Sequence, residues 1–203
     1  MISSKLMSKG SVKARKIPAY IDIVSYTIKN RLRPNYLWNL FIYHLAGLFT
    51  KLTGIVIMRG QLSAKVTKLT GWSYDLGIVA HGVVTTAFCQ DMVDELIAET
   101  ATWGDYKHHD CGTGVGGAVI GDVGLGIPYG GARAVGNQVE NTPVIYESVG
   151  TVTFAGPFAI TEHGLFNNAA GVTLMDRHTF GAINVVNLDS IQFTYDLTCT
   201  AGG

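Results

Sequence analysis

The stretch Asp189-Ser-Ile-Gln-Phe-Thr-Tyr-Asp-Leu-Thr198, close to the carboxy terminus, decides the fold class. Apolar and polar residues alternate along it with a period of two, as they do in a β-strand with one buried face. This alternation is typical of an antiparallel sheet that packs on a core through one side. The residues predicted to face the core are Ile191, Phe193, Tyr195 and Leu197.

Further strand candidates occupy residues 61–69, 78–84, 106–109, 144–154, 158–165 and 173–180, and turn-forming residues separate most of them. Short strands at this spacing indicate an antiparallel β-sandwich or a jelly-roll-like barrel. The composition agrees, because 25 glycines and only 15% charged residues suit a turn-rich β protein. The sequence therefore predicts a mainly β fold.

One segment, at about residues 87–100, changes its period. Apolar residues recur there every three or four positions, and acidic residues occupy the other side. The pattern predicts one amphipathic helix, capped by Thr85 or Thr86, whose apolar face covers a sheet. The predicted apolar face consists of Phe88, Cys89, Met92, Val93, Leu96 and Ile97.

A long glycine-rich loop is predicted between Cys111 and Asn141, where periodicity is weak. Connections of this length are uncommon inside compact domains, so we expect the loop to be ordered only against neighbouring chains. Its segment 112–117 has the letters G-x-G-x-x-G, but no strand before it and no helix after it would aim amides at a pyrophosphate. A plain loop is the favoured interpretation.

Charge divides the chain near residue 57. Residues 1–57 carry nine Lys and Arg against one acid, whereas the remainder carries six basic and fourteen acidic residues. The hypothesis that follows is an upstream extension, 1–57, without a place in the native fold, before a single β-rich domain, 58–203. A membrane anchor within residues 36–57 is the less favoured alternative, since its apolar part, 36–49, would span about 21 Å as a helix. The positive charges are too dilute to predict specific nucleic-acid binding.

Two clusters could carry chemistry. His108-His109-Asp110-Cys111 supplies four metal-ligand types, but adjacent strand residues point to opposite faces, so a distant His81 or His163 would have to complete a site. Glu162-His163 and Asp176-Arg177-His178 bring acid, base and cation together on two strands. No nucleophile motif accompanies them, and cross-strand pairing is the favoured interpretation. No catalytic, cofactor-binding or metal site is predicted.

The carboxy-terminal region carries the patterns T-E-x-G-L-F, D-R-x-x-F and D-S-I-x-F-x-Y-x-L-T. It resembles the end of a group of small tailed-bacteriophage proteins regarded as virion components, and Met58-Arg-Gly-Gln-Leu62 resembles their start. The resemblance implies a fold signature, with Leu165, Phe166 and Phe180 in the core and an ion pair between Glu162 and Arg177. The signature residues are Glu162, His163, Gly164, Leu165, Phe166, Asp176, Arg177, Phe180, Asp189, Phe193 and Tyr195.

The function implied is a non-enzymatic structural component of a tailed-phage virion, most simply a capsid decoration or head-associated protein. A tail-fibre or baseplate component is the alternative, and a small metal-dependent enzyme is a third reading. Implied partners are other virion proteins and further copies of the chain. The expected location is the virion, after synthesis in the bacterial host cytoplasm, which agrees with three widely spaced cysteines and no disulfide framework.

Overall fold

In the part of the chain that the structure describes, two five-stranded antiparallel sheets pack against each other and three helices lie around them. The computed structural model describes residues 16–53, 57–98, 105–170 and 173–200. The prediction of a mainly β sandwich with a helix packed on it and a long glycine-rich loop is confirmed. No helix among the described residues combines the length and the apolar character needed to cross a membrane.

The elements follow in the order α1 (Lys16–Arg31), α2 (Pro34–Thr53), β1 (Ile57–Thr67), β2 (Ser73–His81), β3 (Val83–Val84), α3 (Thr86–Ala98), β4 (His108–Gly112), β5 (Ala134–Val135), β6 (Asn137–Thr142), β7 (Ile145–Thr153), β8 (Phe158–Phe166), β9 (Leu174–Val185) and β10 (Ser190–Thr200). The first sheet has the order β2-β1-β10-β7-β6 and the second the order β3-β9-β8-β4-β5. The segment predicted as a strand at 78–84 is divided between the two sheets, because β3 pairs with β9.

The carboxy-terminal strand β10 lies at the centre of the first sheet, between β1 and β7. Its alternation has the predicted effect: Ile191, Phe193 and Tyr195 are fully buried, and Leu197 is nearly so. Each fully buried aromatic or aliphatic side chain contributes about 1.5–3 kcal/mol relative to its exposed state. The sequence pattern of one strand therefore fixes which side of the first sheet forms the core.

Helices α1 and α2 contact the open edges of the sandwich. The Asn30 side chain is buried, and its Nδ2 donates to the Val79 carbonyl on β2 at 2.8 Å while its Oδ1 accepts from the Gly181 amide on β9 at 2.7 Å. The Tyr26 hydroxyl donates to the Gly181 carbonyl. One helix thus satisfies edge groups of both sheets, which hinders pairing with another chain.

Helix α2 continues this cover along β2. Asn39 Nδ2 donates to the His81 carbonyl at 3.1 Å, and the Tyr43 ring lies 4.6 Å from the His81 ring. The hypothesis that residues 1–57 are an upstream extension stays a prediction; the described part, residues 16–53, contacts both sheets. Residues 1–15 and 54–56, with the basic residues Lys5, Lys9, Lys13 and Arg15, lie outside the described residues.

Helix α3 is capped at its start, and its side chains are buried to different extents along its length. Thr85 Oγ1 accepts a hydrogen bond from the Phe88 amide, so Thr85 is the cap. Phe88 is buried with its ring edge-on to Tyr106, but Leu96 is 81% and Ile97 77% exposed. The predicted apolar face therefore covers the protein only through its first turns. The predicted helix residues 99 and 100 lie outside the described residues, as do 171–172 and 201–203.

Candidate functional site

The neighbouring strands β8 and β9 present two different faces. Residues opposite each other in an antiparallel pair share a face, and the register pairs His163 with His178 and Gly164 with Arg177. The histidines point into the sandwich, whereas Arg177 and Glu162 point to the outer side of the second sheet. Both faces are buried, the outer one by the glycine-rich loop.

Five donors surround the carboxylate of Glu162 on the outer face. Its Oε1 accepts from the amides of Gly114 and Ile127, and its Oε2 accepts from the amide of Gly126, at 2.8 to 2.9 Å. Arg177 adds Nε and Nη2 at 3.0 and 2.7 Å. The ion pair predicted between Glu162 and Arg177 is therefore present, and it also holds the backbone of the loop.

Arg177 extends this arrangement towards the loop tip. Its Nη1 pairs with Asp122 Oδ2 at 3.0 Å, and Nη2 donates to the Gly116 carbonyl at 3.2 Å. We call Glu162, Arg177 and Asp122 the loop clamp. The clamp corrects the expectation that the loop is ordered only against neighbouring chains, because contacts within the chain hold its amides, carbonyls and one of its side chains.

The loop clamp keeps its charges although it is buried. Burial would raise the pKa of Glu162, but the amides of Ile127 and Gly126 and the Arg177 guanidinium together lower it below its ordinary value. Burial would lower the pKa of Arg177, yet its bonds to Asp122 and Glu162 raise it. The pair therefore stays ionised at neutral pH.

Close approach of the loop to Glu162 requires a glycine at position 114. A Cβ built there would lie 2.5 Å from Glu162 Oε1, closer than non-bonded atoms approach. The glycine richness that the sequence shows in this segment is thus a consequence of backbone packed directly on a carboxylate.

A second ion pair fixes the end of the loop. Arg133 Nε lies 3.3 Å from Asp110 Oδ2, and the guanidinium stacks 3.5 Å from the centroid of the Phe166 ring. Burial raises the pKa of Asp110 despite the opposing bond from Arg133. Both ends of the loop are therefore attached to the second sheet.

The inner face carries a series of buried polar side chains. Ser148 Oγ lies 2.9 Å from His109 Nε2, and His109 Nδ1 lies 3.0 Å from His163 Nε2. The His163 and His178 rings follow with centroids 6.2 Å apart. We call His109, His163 and His178 the histidine row; all three are fully buried.

Asp176 lies at the end of the histidine row. Its Oδ2 accepts from the Tyr195 hydroxyl at 3.1 Å, and its Oδ1 lies 3.5 Å from His178 Nδ1. Space for this carboxyl depends on Gly60, because a Cβ there would overlap Asp176 Oδ2. Burial raises the pKa of Asp176 well above its ordinary value, and the opposing bonds from Tyr195 and two amides are too few to prevent this.

The histidines of the row are neutral. Burial, followed by the proximity of His108, lowers the pKa of His109 to about 3, and burial with nearby His81 lowers the pKa of His178 to about 3. Burial and both neighbouring histidines lower the pKa of His163 well below its ordinary value. Among the described residues, several ring nitrogens have no hydrogen-bond partner, namely His163 Nδ1 and both nitrogens of His178.

Ser148, His109 and His163 are arranged as a nucleophile, a base and an orienting group would be. All three are fully buried, however, so a substrate carbonyl cannot reach Ser148 in this conformation. Two surface grooves, of about 610 and 430 Å³, are lined by other residues, the first between α1, β2 and β9 and the second beside β6 and β7.

The metal hypothesis finds no ligand set within residues 16–53, 57–98, 105–170 and 173–200, because no three His, Cys, Asp or Glu side chains come close enough together. His109 and Cys111 face the core, while His108 and Asp110 face the other way, as the strand geometry predicts. Burial raises the pKa of the Cys111 thiol, which disfavours the thiolate that binds metals.

The remaining signature residues support the packing. Leu165, Phe166, Phe180 and Phe193 are buried, and the Phe193 ring lies 4.5 Å from that of His163. Gly164 packs against Leu125 of the loop and Leu174. Asp189 accepts from Lys68 Nζ at 2.8 Å and from the amides of Leu69 and Val186, which joins two turns. Burial would raise the pKa of Asp189, but these bonds lower it.

Sequence reasoning missed Ser148, Asp122 and Gly114 as members of the site. The partners of Glu162 are main-chain amides 35 to 48 residues away, and Ser148 lies 39 residues from His109. The glycines of the loop were a signal, because backbone that approaches a carboxylate closely excludes a Cβ. Comparison of the chain with known protein families, with curated proteins and with solved structures finds no match.

Proposed function

We propose that the protein is a non-enzymatic structural component of a tailed-phage virion, acting as a capsid decoration or head-associated protein through contacts with its neighbours. The observation that carries the proposal is the surface of the clamped loop. Large apolar side chains there are 57 to 73% exposed although the backbone beneath them is held in place: Val115, Val119, Ile120, Val123 and Ile127.

Exposed apolar side chains on a fixed backbone suit a protein contact. Contiguous apolar surface marks interaction sites in soluble proteins. A loop that is already ordered loses little conformational entropy on binding, so more of the energy of burial appears as affinity. The Glu162 carboxylate, which makes five hydrogen bonds, supplies this order.

The buried polar residues fit the same role. The histidine row and Asp176 are closed off from solvent, and the loop clamp uses its charges to hold backbone. Both arrangements rigidify a scaffold. Neither the row nor the clamp offers a reactive group at the surface, which favours a structural protein over the enzyme reading.

The test is to locate the protein on purified particles by immuno-gold labelling, with the chain quantified in the particles by mass spectrometry. Labelling over the head shell would support the decoration reading, and labelling at the tail tip would favour the fibre or baseplate reading. Absence from the particles would overturn the proposal.

A loop variant connects the location to the surface proposed for it. Val119→Ser combined with Val123→Ser should reduce incorporation into particles several-fold, because both side chains are exposed and the fold does not depend on them. Val139→Ser, on the exposed strand β6, is the matched control and should be incorporated normally. Equal incorporation of the wild type, the double variant and the Val139→Ser control would exclude the loop as the contact surface.

A further inference from the structure

Helix α2 has an apolar face that points away from the rest of the protein. Trp38, Phe41, Ile42 and Leu48 share one side of the helix because they are spaced by three, four and seven residues. They are 62, 56, 41 and 54% exposed. The side of α2 that contacts the sandwich instead uses Asn39 and Tyr43. We call Trp38, Phe41, Ile42 and Leu48 the α2 stripe.

Helix α3 has a second exposed apolar face. Cys89, Val93, Leu96 and Ile97 lie on one side of it, again at spacings of three, four and seven residues. Val93, Leu96 and Ile97 are 50, 81 and 77% exposed, and Cys89 is exposed with a free thiol. We call these residues the α3 stripe. A monomer in water would gain from covering both stripes.

The two stripes lie in surroundings of opposite charge. Residues 16–53 carry five basic residues against one acid, and Arg31 and Lys29 at the end of α1 are exposed beside the start of α2. Helix α3 carries three acids and no Lys or Arg, with Asp94 exposed beside its stripe. Like charge disfavours contact between two α2 stripes or two α3 stripes, whereas contact between one of each is favoured.

We propose that the α2 stripe of one copy binds the α3 stripe of a second copy of this chain. Each contact of this kind covers one α2 stripe and one α3 stripe, and it places a basic region against an acidic one. An anionic membrane surface would attract the basic region around α2 but repel the acidic region around α3, so it would cover one stripe only. Contacts between different surfaces of identical subunits form rings when they close and filaments when they do not.

The first experiment measures molar mass by light scattering over a concentration series. The wild-type chain of 21.8 kDa should give a multiple of that mass. Leu96→Asp and Trp38→Asp should each weaken association by at least about tenfold, as the loss of a central apolar contact does. Both positions are mainly exposed, so unfolding midpoints should not change at concentrations low enough for every chain to be monomeric. Val139→Asp is the matched control, an equally polar change on the opposite edge of the first sheet.

The second experiment tests which surfaces meet. One variant combines Ile42→Cys with Cys89→Ser, and the other chain keeps both native residues. When the two chains are mixed, dissolved oxygen oxidises two thiols to a disulfide and takes up the two hydrogens. The expected product links position 42 of one chain to Cys89 of the other. Disulfides that join position 42 of two chains, or Cys89 of two chains, would show a symmetric contact. If they formed in greater amount than the disulfide between position 42 and Cys89, they would overturn the proposal.

Charge reversal gives an independent test. Arg31→Glu and Asp94→Lys should each weaken association several-fold, and the two chains mixed should associate as the wild type does. Failure of the mixture to recover would overturn the charge argument. A chain that stays monomeric in solution, or that associates only with vesicles of anionic lipid, would overturn the proposal; its presence on virions would still leave the proposed function intact.

Discussion

The two faces of the β8–β9 strand pair each bury a carboxyl group, and the pKa values of the two groups are shifted in opposite directions. Glu162 on the outer face accepts five hydrogen bonds, and its pKa is lowered. Asp176 on the inner face has the Tyr195 hydroxyl and two amides as donors and a neutral His178 beside it, and its pKa is raised well above the ordinary value. Both side chains are 0% exposed, and the number and charge of the donors, together with the deeper position of Asp176 between the sheets, shift the two pKa values apart.

The comparison shows two ways to fill a buried polar position. The outer face uses full charges and satisfies them with a guanidinium and main-chain amides, and thereby fixes a loop. The inner face uses groups whose pKa values favour the neutral form, and several of their atoms find no hydrogen-bond partner among the residues that the structure describes. Removal of one member of the ion pair on the outer face should therefore destabilise the protein. On the inner face, protonation that creates a buried charge should destabilise it.

Acidification should have the largest effect, and it acts on the inner face. The histidine row has folded pKa values below the ordinary 6.5, so the unfolded chain binds protons first as the pH falls. Its contribution to stability is complete above pH 6.5 and is lost towards pH 3. As the pH falls, three such groups lower the free energy of unfolding by up to about 4 kcal/mol per pH unit. Asp176 acts in the opposite direction, because the folded chain binds its single proton before the unfolded chain does.

Urea unfolding between pH 8 and pH 4 measures this dependence. Substitution of His178 by Asn should flatten the pH dependence by roughly a quarter, because His81, whose pKa burial lowers to about 4, titrates together with the three histidines of the row. Gln90→Asn, at an exposed position of α3 that does not titrate, is the control and should leave the slope unchanged. A wild-type midpoint that does not move between pH 7 and pH 5 would contradict neutral, titratable histidines in the core.

Glu162→Gln should have the next largest effect, and it acts on the outer face. The change leaves the buried Arg177 guanidinium without its closest counter-charge and turns an amide NH₂ towards donors, so we expect a loss of about 3–5 kcal/mol. Limited proteolysis should then cleave within residues 113–133, which the wild type protects. Glu140→Gln, on exposed β6, should change stability by less than about 0.5 kcal/mol. Equal losses for both variants would rule out the loop clamp.

The sequence predicted β10, β1 and α3 because each has a hydrophobic period that burial then follows, as at Leu62, Ala64 and Val66. It missed β6 because every residue of that strand is exposed, so no alternation marks it. It did not predict the contacts of α1, because Asn30 and Tyr26 form hydrogen bonds to β2 and β9 that a sequence does not show. The sequence did not predict the histidine row, because its members lie on β4, β8 and β9 and come together only when these strands pair.

Gly60→Ala tests the space around the inner carboxyl. The added methyl group would overlap Asp176 Oδ2, and Asp176 is fully buried and held by Tyr195, so the structure must shift at a cost of about 1–3 kcal/mol. Gly156→Ala is the control, because its Cβ would meet Phe158 at an ordinary 3.8 Å. Thermal unfolding compares the two. A Gly60→Ala protein as stable as the Gly156→Ala protein would show that Asp176 is free to move.

Asp176→Asn should have the smallest effect, although it is the same chemical change as Glu162→Gln. A carboxyl whose pKa is raised is close to its neutral form, and Asn reproduces that form with an oxygen for the Tyr195 hydroxyl and an NH₂ group towards His178 Nδ1. The loss of stability should stay below about 1 kcal/mol, since no charge is removed. Urea unfolding of both amide variants at pH 7 gives the comparison directly. A loss for Asp176→Asn as large as that for Glu162→Gln would mean that both carboxylates are ionised, and the distinction between the two faces would then be one of geometry without a difference in charge.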